Sequence, residues 1–300
     1  MLLLGSLISL LFVGLAIDAT ATTRSPEDDP DEPEPPPEPE PGPEDLDIEG
    51  TEGDDWLAGG DGDDRLIGDA GNDDLHGGLG GDTLLGGDGS DWLYGDDDYG
   101  PGGDDFLAGG AGADSMAGQG GNDTLHGGAG DDTMLGGEGD DLLTGGSGND
   151  WLMGNAGNDT LIAGSGEDDL DGGDGDDLLI GGASPDRAWL HGGAGKDTLM
   201  PGPGDFAEGG EGEDLFVLGP TDPALALPAD HVPVISGFDP VEDRLELRYH
   251  DDGQGTAPQL SLESDDEGAV IVRLDGLAVV RVLGGAGLRS ADIALVPVSR

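Results

Sequence analysis

The chain has 300 residues, with 67 acidic against 10 basic side chains and a formal charge of −57. Phosphate recognition needs a basic surface, so nucleic acid is excluded as a partner, as is polybasic attachment to anionic lipid. There is no cysteine, so disulfides and thiolate sites are excluded and any metal chemistry must be all-oxygen, which suits calcium better than zinc, copper or magnesium.

Residues 1–21 open with Met1-Leu2-Leu3-Leu4 and carry no charged side chain through Ile17. Two readings stand. One is a cleaved secretory signal with Ala19-Thr20-Ala21 as the small-residue site; it lacks a basic leading region. The other is an uncleaved anchor, a little short of the roughly 20 apolar residues a bilayer requires. Arg24 lies on the wrong side for the positive-inside rule to support outward orientation of the repeats. Both readings place the rest of the chain outside the cytoplasm, at the cell surface or free of it. Residues 22–49 are an acidic, proline-rich linker, densest from Pro33 to Pro41. At about 3.1 Å per residue, roughly 25 such residues reach about 75 Å.

From residue 50 to 217 the chain repeats every nine residues. Gly59-Gly60-Asp61-Gly62-Asp63-Asp64-Arg65-Leu66-Ile67 is one copy and Gly127-Gly128-Ala129-Gly130-Asp131-Asp132-Thr133-Met134-Leu135 another. Nine residues cannot bury anything alone, so a fixed period of this kind predicts a stacked solenoid. Counting from the first glycine, position 8 is leucine in almost every copy, with Met116, Met134 and Phe216 as conservative exceptions. Position 6 is aspartate: Asp55, Asp64, Asp73, Asp82, Asp91, Asp105, Asp114, Asp123, Asp132, Asp141, Asp150, Asp159, Asp168, Asp177, Asp197 and Asp214.

Positions 7 to 9 suffice for a very short strand, with position 8 pointing inward and 7 and 9 outward. Positions 1 to 6 then reverse the chain, which glycine permits through positive φ. Two repeats make one coil, and two parallel sheets face each other across a leucine ladder. At about 4.8 Å per coil, about eight coils give a rod about 40 Å long. The position-6 carboxylates fall in two rows, one along each edge, beside the carbonyls of the glycine-rich turns. Carboxylates and carbonyls in a flexible loop form a calcium site; one ion at each of about sixteen sites would neutralise about 32 charges.

These copies resemble the RTX (repeats-in-toxin, hemolysin-type) calcium-binding repeat family, whose unit is GGxGxDxUx. The resemblance implies a parallel β-roll with multiple Ca2+ ions in the turns, folding on secretion, and in many members export by type I secretion machinery that reads a C-terminal signal. The apolar N-terminal segment departs from that route. Val234 to Leu247 also resembles the segment that follows the repeats in many such proteins.

Three copies are faulty. Gly95 to Tyr99 insert five residues before a copy starting at Gly100; the copy from Gly181 is two residues too long and carries Ser184-Pro185; the copy from Pro201 is one short and has Ala207 at the leucine position. Weak or missing sites are expected there, with Asp186 and Asp205 the doubtful ligands. Beyond residue 217 strands are expected at 243–249, 258–263, 269–274, 277–283 and 292–298, with Asp275-Gly276 as a hairpin turn. An open solenoid end exposes leucines and unpaired backbone, so 218–300 is read as a β-rich capping region, or alternatively as a separate ligand-binding domain. The fold class is therefore all-β: a parallel β-roll solenoid of nonapeptide repeats with a C-terminal β-rich cap.

No HExxH, G-x-S-x-G or phosphate-loop motif is present. His76, His126 and His191 fall at position 9 in distant coils, and His231 and His250 in the cap; all read as solvated. Adjacent acids such as Asp54-Asp55 and Asp176-Asp177 face opposite ways and do not read as an acid–base pair. Trp56, Trp92, Trp151 and Trp189 all fall at position 7 and, by repeat parity, on one sheet. They either cover that sheet or form a face that stacks on a surface polysaccharide or docks a protein. The expected function is an exported, non-enzymatic calcium-binding protein with a structural, surface or adhesive role, anchored through residues 1–21 in the uncleaved reading. The alternative is a secreted enzyme or toxin-associated protein whose activity lies in the C-terminal region or a partner.

Overall fold

A computed structural model of the protein describes residues 44–96, 102–182, 186–221, 231–250 and 257–298. The apolar segment 1–21, most of the proline-rich linker and Ser184-Pro185 lie outside the described residues. The first strands are β1 (Asp47–Thr51), β2 (Trp56–Asp61), β3 (Arg65–Ala70), β4 (Asp74–Leu79), β5 (Thr83–Asp88), β6 (Trp92–Asp96), β7 (Phe106–Ala111) and β8 (Ser115–Gly120). Then come β9 (Thr124–Ala129), β10 (Thr133–Glu138), β11 (Leu142–Ser147), β12 (Trp151–Ala156), β13 (Thr160–Ser165), β14 (Asp169–Asp174), β15 (Leu178–Ile180) and β16 (Trp189–Ala194). The remainder are β17 (Thr198–Met200), β18 (Phe206–Glu211), β19 (Leu215–Thr221), β20 (Val234–Ser236), β21 (Arg244–His250), β22 (Leu260–Ser264), β23 (Val270–Leu274), β24 (Leu277–Val282) and β25 (Ile293–Val298). Among the described residues no helix is long and apolar enough to cross a membrane.

Successive strands alternate between two sheets. The odd strands β1 to β21, followed by β25, form one; the even strands β2 to β20, followed by β24, β23 and β22, form the other. Neighbours within each sheet are parallel except in the β22–β23–β24 meander. This is the β-roll expected from the period.

Most repeat strands are six residues long rather than three. β9 runs from position 7 of one copy (Thr124) to position 3 of the next (Ala129), so the first two glycines belong to the strand and only positions 4 to 6 turn the chain. The left-handed backbone at Gly128 (φ 110°) and Gly130 (φ 131°) makes this compact reversal possible. A Cβ on Gly128 would stand 2.2 Å from the Gly110 carbonyl of the preceding coil, so stacking as well as φ demands glycine there.

Inside, the position-8 side chains form the expected ladder, with Leu66, Leu84, Leu107, Leu125, Leu143 and Leu161 all fully buried. At roughly 1.5–3 kcal/mol for each fully buried leucine, the ladder is the main apolar contribution of an otherwise thin core. Ala207 occupies its place beside Leu190, and Phe216 in the next copy packs on Phe238 with ring centroids 5.9 Å apart.

The structure departs from the expected limits in three ways. The roll begins at Asp47, inside the stretch read as linker, because Ile48 takes the leucine role opposite Leu66 without any glycine–aspartate signature. Gly95 and Asp96 keep positions 1 and 2 of their copy, and Gly102 to Asp105 take positions 3 to 6. The five extra residues are thus 97–101, not 95–99. Finally, both sheets continue past residue 217: β20 pairs with β18, and β21 with β19 and β25, all in parallel.

The five strands expected in the tail appear as β21 to β25, and β20 adds a sixth. Asp275 (φ 49°) and Gly276 (φ 84°) make the left-handed pair of a two-residue hairpin turn between β23 and β24. Replacing Leu143 by alanine should cost about 2–5 kcal/mol. Leu142→Ala, one residue earlier on the outer face, should cost less than half of that. Urea unfolding of both variants in saturating calcium checks the inward–outward assignment.

Candidate metal centre

The three-residue turn carries position 6 to the inner side of the roll's edge. All sixteen aspartates singled out from the sequence sit in one of two rows. Asp55, Asp73, Asp91, Asp114, Asp132, Asp150 and Asp168 line one edge; Asp64, Asp82, Asp105, Asp123, Asp141, Asp159, Asp177, Asp197 and Asp214 line the other. Within a row the backbone N–H donates to Oδ1 of the aspartate one coil on, except at Asp168, where Ala188 follows. Asp55 donates to Asp73 at 2.8 Å, Asp114 to Asp132 at 2.9 Å, Asp132 to Asp150 at 3.0 Å, and Asp123 to Asp141 at 2.7 Å. The inserted residues 97–101 do not break the row, since Asp82 still donates to Asp105 at 2.7 Å.

The second carboxylate oxygen is the anomaly. In fourteen of the sixteen, all but Asp55 and Asp214, Oδ2 is buried without a hydrogen-bond partner. An unsatisfied buried polar atom costs about 1–3 kcal/mol, and more if charged. Thirteen of these Oδ2 atoms lean over the position-1 glycine of their own copy; Asp168, whose copy has Ala163 there, is the exception. A Cβ on Gly127 would stand 2.4 Å from Asp132 Oδ2 and 2.6 Å from the Gly145 carbonyl oxygen of the next coil. Gly68 repeats this arrangement with Asp73 Oδ2 and the Gly86 carbonyl, and Gly154 with Asp159 Oδ2 and the Gly172 carbonyl. Glycine is therefore favoured at position 1 because oxygens converge on its face, although Ala163 takes that place in the copy of Asp168.

A hard cation fits this donor set. Calcium takes six to eight oxygen ligands, from carboxylates, backbone carbonyls and water, in flexible geometry. Among the described residues no three His, Cys, Asp or Glu side chains converge. Any ion must therefore complete its shell from carbonyls and water around one or two Oδ2 atoms.

From Asp82 onward burial pushes the row carboxylates above the usual aspartate range, with the amide bond from the previous coil opposing it and, for most, the charges of row neighbours adding to it. Asp82, Asp91 and Asp123 rise to about 6, Asp132, Asp141 and Asp197 to about 7, and Asp105 to about 8. Without a counter-ion the folded roll thus holds protons that the unfolded chain releases near pH 4.

The faulty copies differ in an instructive way. In the copy from Gly181, position 6 is Ala188, and Asp186 lies two residues ahead of it. After burial, Asp186 is the charge that raises Asp168. Asp205 does stand in the row, accepting from Ala188 N–H at 2.9 Å, but its Oδ2 already accepts from Gly202 N–H at 2.7 Å. Asp243 was missed from the sequence. It extends the other row, with Oδ1 accepting from Asp214 N–H at 3.2 Å and Oδ2 from Asp239 N–H at 2.7 Å. The D-x-L order of Asp243-Arg244-Leu245 was its only signal.

A second ladder was also missed. At position 5, Asp104 Oδ1 accepts from Asn122 N–H at 2.8 Å, Asn122 Oδ1 from Asp140 N–H at 2.8 Å, and Asp140 Oδ1 from Asn158 N–H at 2.7 Å. It is exposed and runs opposite to the position-6 rows. Neutral asparagine between aspartates also relieves repulsion along it.

Two outcomes test this arrangement. Gly127→Ala, forced against Asp132 Oδ2 and a carbonyl, should destabilise the calcium-loaded roll by about 1–3 kcal/mol. Gly53→Ala, with nothing within 4 Å of its Cβ, should leave both stability and the calcium titration unchanged. In chelator, the raised pKa values stabilise the fold below about pH 4 and lose that effect as pH rises through about 6 to 8. Circular dichroism of the metal-free protein should therefore show more strand at pH 5 than at pH 8, and added calcium should remove the difference.

The family model described as RTX calcium-binding nonapeptide repeat (4 copies) matches in overlapping segments from residue 49 to 205, a little over half of the chain. No curated protein matches. The AlgE6R3 subunit of the mannuronan C5-epimerase from Azotobacter vinelandii is similar at 25% identity, covering 55% of this chain and 78% of its own, with a TM-score of 0.26. The extracellular lipase LipA from Serratia marcescens is similar at 19% identity, covering 85% of this chain but 40% of its own, with a TM-score of 0.20. With the repeat, the two sheets and the aspartate rows in place, the chain belongs to the RTX calcium-binding nonapeptide repeat family.

Proposed function

We propose that this is an exported calcium-binding protein whose roll locks into its fold when calcium reaches the turns, serving a structural, surface or adhesive role outside the cytoplasm. One observation carries the calcium reading: fourteen buried Oδ2 atoms have no partner, and eleven of them share the face of their position-1 glycine with a carbonyl oxygen of the next coil. Calcium, when bound, supplies the positive charge that these oxygens lack. The chain's own residues do the rest. Oδ1 ties each aspartate to the previous coil, the position-1 glycine leaves room, and the leucine ladder excludes water from the inner side. The apolar residues 1–21 support export, by cleavage or by anchoring.

We assign the carboxylates a structural rather than catalytic role. Their bonding to successive amides repeats from coil to coil with no distinguished member, whereas a catalytic pair needs two carboxyls in contrasting environments.

Calcium should convert the metal-free full chain from coil to strand with a midpoint at about 10⁻⁴ to 10⁻³ M, and magnesium at equal concentration should not. Asp132→Ala removes an acceptor from Asp114 and the Oδ2 over Gly127 together. It should lower the number of bound ions in equilibrium dialysis and flatten the transition seen by circular dichroism, while Asp88→Ala, at an exposed position 3, should do neither. An unchanged titration for Asp132→Ala would overturn the reading.

A further inference from the structure

The four tryptophans of the chain share one column of one sheet. Across the outer face of the even sheet the register at position 7 runs Trp56, Asp74, Trp92, then Ser115 and Thr133, then Trp151, Asp169, Trp189 and Phe206. Parity alone predicted the shared sheet; the register adds that an aspartate stands between the tryptophans of each pair. The same column of the odd sheet runs Asp47, Arg65, Thr83, Phe106, Thr124, Leu142 and Thr160, with no tryptophan, and its one carboxylate, Asp47, is paired with Arg65 at 3.0 Å. If the indoles merely covered a sheet, both faces would need them. They are also far from covered: Trp56 is 67% exposed, Trp92 56%, Trp151 45% and Trp189 44%.

The spacing defines what fits. Strands in a sheet lie about 4.8 Å apart, so the tryptophans of each triplet stand about 9.6 Å apart with the carboxylate midway. Side chains rise roughly perpendicular to a sheet, so each triplet is a slot with indole walls and an acidic floor. A cation over that floor lies about 4.8 Å from both tryptophan columns, inside the roughly 6 Å reach of a cation–π contact. Trp92 and Trp151 are three strands apart, about 14 Å, too far to share one cation.

The surroundings agree with this use. Asp74 Oδ1 is buried 2.9 Å from His76 Nε2, so the other carboxylate oxygen faces the slot, and the His76 ring, stacked on Tyr94 at 4.9 Å and 6.0 Å from the Trp56 ring, forms one flank. Trp189 stacks on Phe206 at 6.2 Å with ring planes 6° apart, which braces a wall of the second. The chain itself sets a cation on this column, with Arg187 Cζ 5.7 Å from the Phe206 centroid. With a formal charge of −57 on the chain, any anionic ligand is repelled. A bare metal ion has better oxygen ligands in the turns. A methylated ammonium group offers both the positive charge for the floor and the apolar surface for the walls.

We propose that Trp56–Asp74–Trp92 and Trp151–Asp169–Trp189 are two independent binding slots for a quaternary ammonium group. The test titrates the calcium-loaded full chain with choline and with tetramethylammonium, read by the indole N–H resonances and by calorimetry. Saturable binding at two sites is expected. The neutral isostere 3,3-dimethylbutanol should bind at least about tenfold more weakly, since only the charge differs. The Asp74→Asn and Asp169→Asn double variant should lose at least about tenfold in affinity while its calcium-induced circular dichroism stays that of the parent. Trp92→Leu should halve the stoichiometry, and Trp92→Phe, which keeps an aromatic wall, should restore it. The proposal is overturned if the neutral isostere binds as well as choline, if the double asparagine variant binds unchanged, or if sodium chloride at equal ionic strength moves the same resonances. Because calcium is already bound and its spectrum is recorded separately, failure here leaves the calcium reading untouched.

Discussion

Everything in the roll depends on a carboxylate that serves two neighbours with two different oxygens. Oδ1 of each position-6 aspartate satisfies a backbone amide of the preceding coil, which fixes the rise between coils and holds the side chain in a single orientation. That orientation leaves Oδ2 in a dry gap beside a carbonyl, next to like charges one coil above and one below. The first contact is favourable in any conditions, and the second is unfavourable until a positive charge arrives. The leucine ladder, with one inward side chain per strand, works against the cost of fourteen unmatched oxygens.

The glycines follow from the same constraint. Position 1 is bare in most copies because Oδ2 lies across its face, Ala163 and Pro201 being the exceptions, and position 2 because a carbonyl of the preceding coil does. Where position 2 is not glycine, as at Asp69, Gln119 and Asn155, the backbone still keeps positive φ, between 74° and 79°. Flexible short side chains tolerate that region at modest cost. Slightly more than one residue in five is glycine, yet few of the glycines in the roll confer flexibility. They are close-packing positions.

Much of this was legible beforehand because the repeat is its own alignment. The leucine and aspartate periods identified the ladder and both rows, tryptophan parity identified the sheet, and Asp275-Gly276 identified the cap hairpin. What escaped did so for physical reasons. β1 has no glycine or aspartate signature, because a terminal strand need only present one apolar side chain and an edge to its neighbour. The insertion was misplaced because Gly95 and Gly100 are equally plausible as position 1 until the stacked coils choose between them. Asp243 sits in a row whose continuity depends on space rather than on spacing, so broken periodicity hid it, while Asp205, doubtful from its faulty copy, does stand in its row. The position-5 ladder was hidden because adjacent acids on alternate sides of a turn look like simple solvation.

The aspartate ladder has an arrow. Every amide that a row closes is closed by a residue that comes later in the chain, never earlier. Each coil therefore leaves its own amide to be closed by the coil after it, and Asp243, whose Oδ2 accepts from Asp239 N–H, closes the last such amide, that of Asp214.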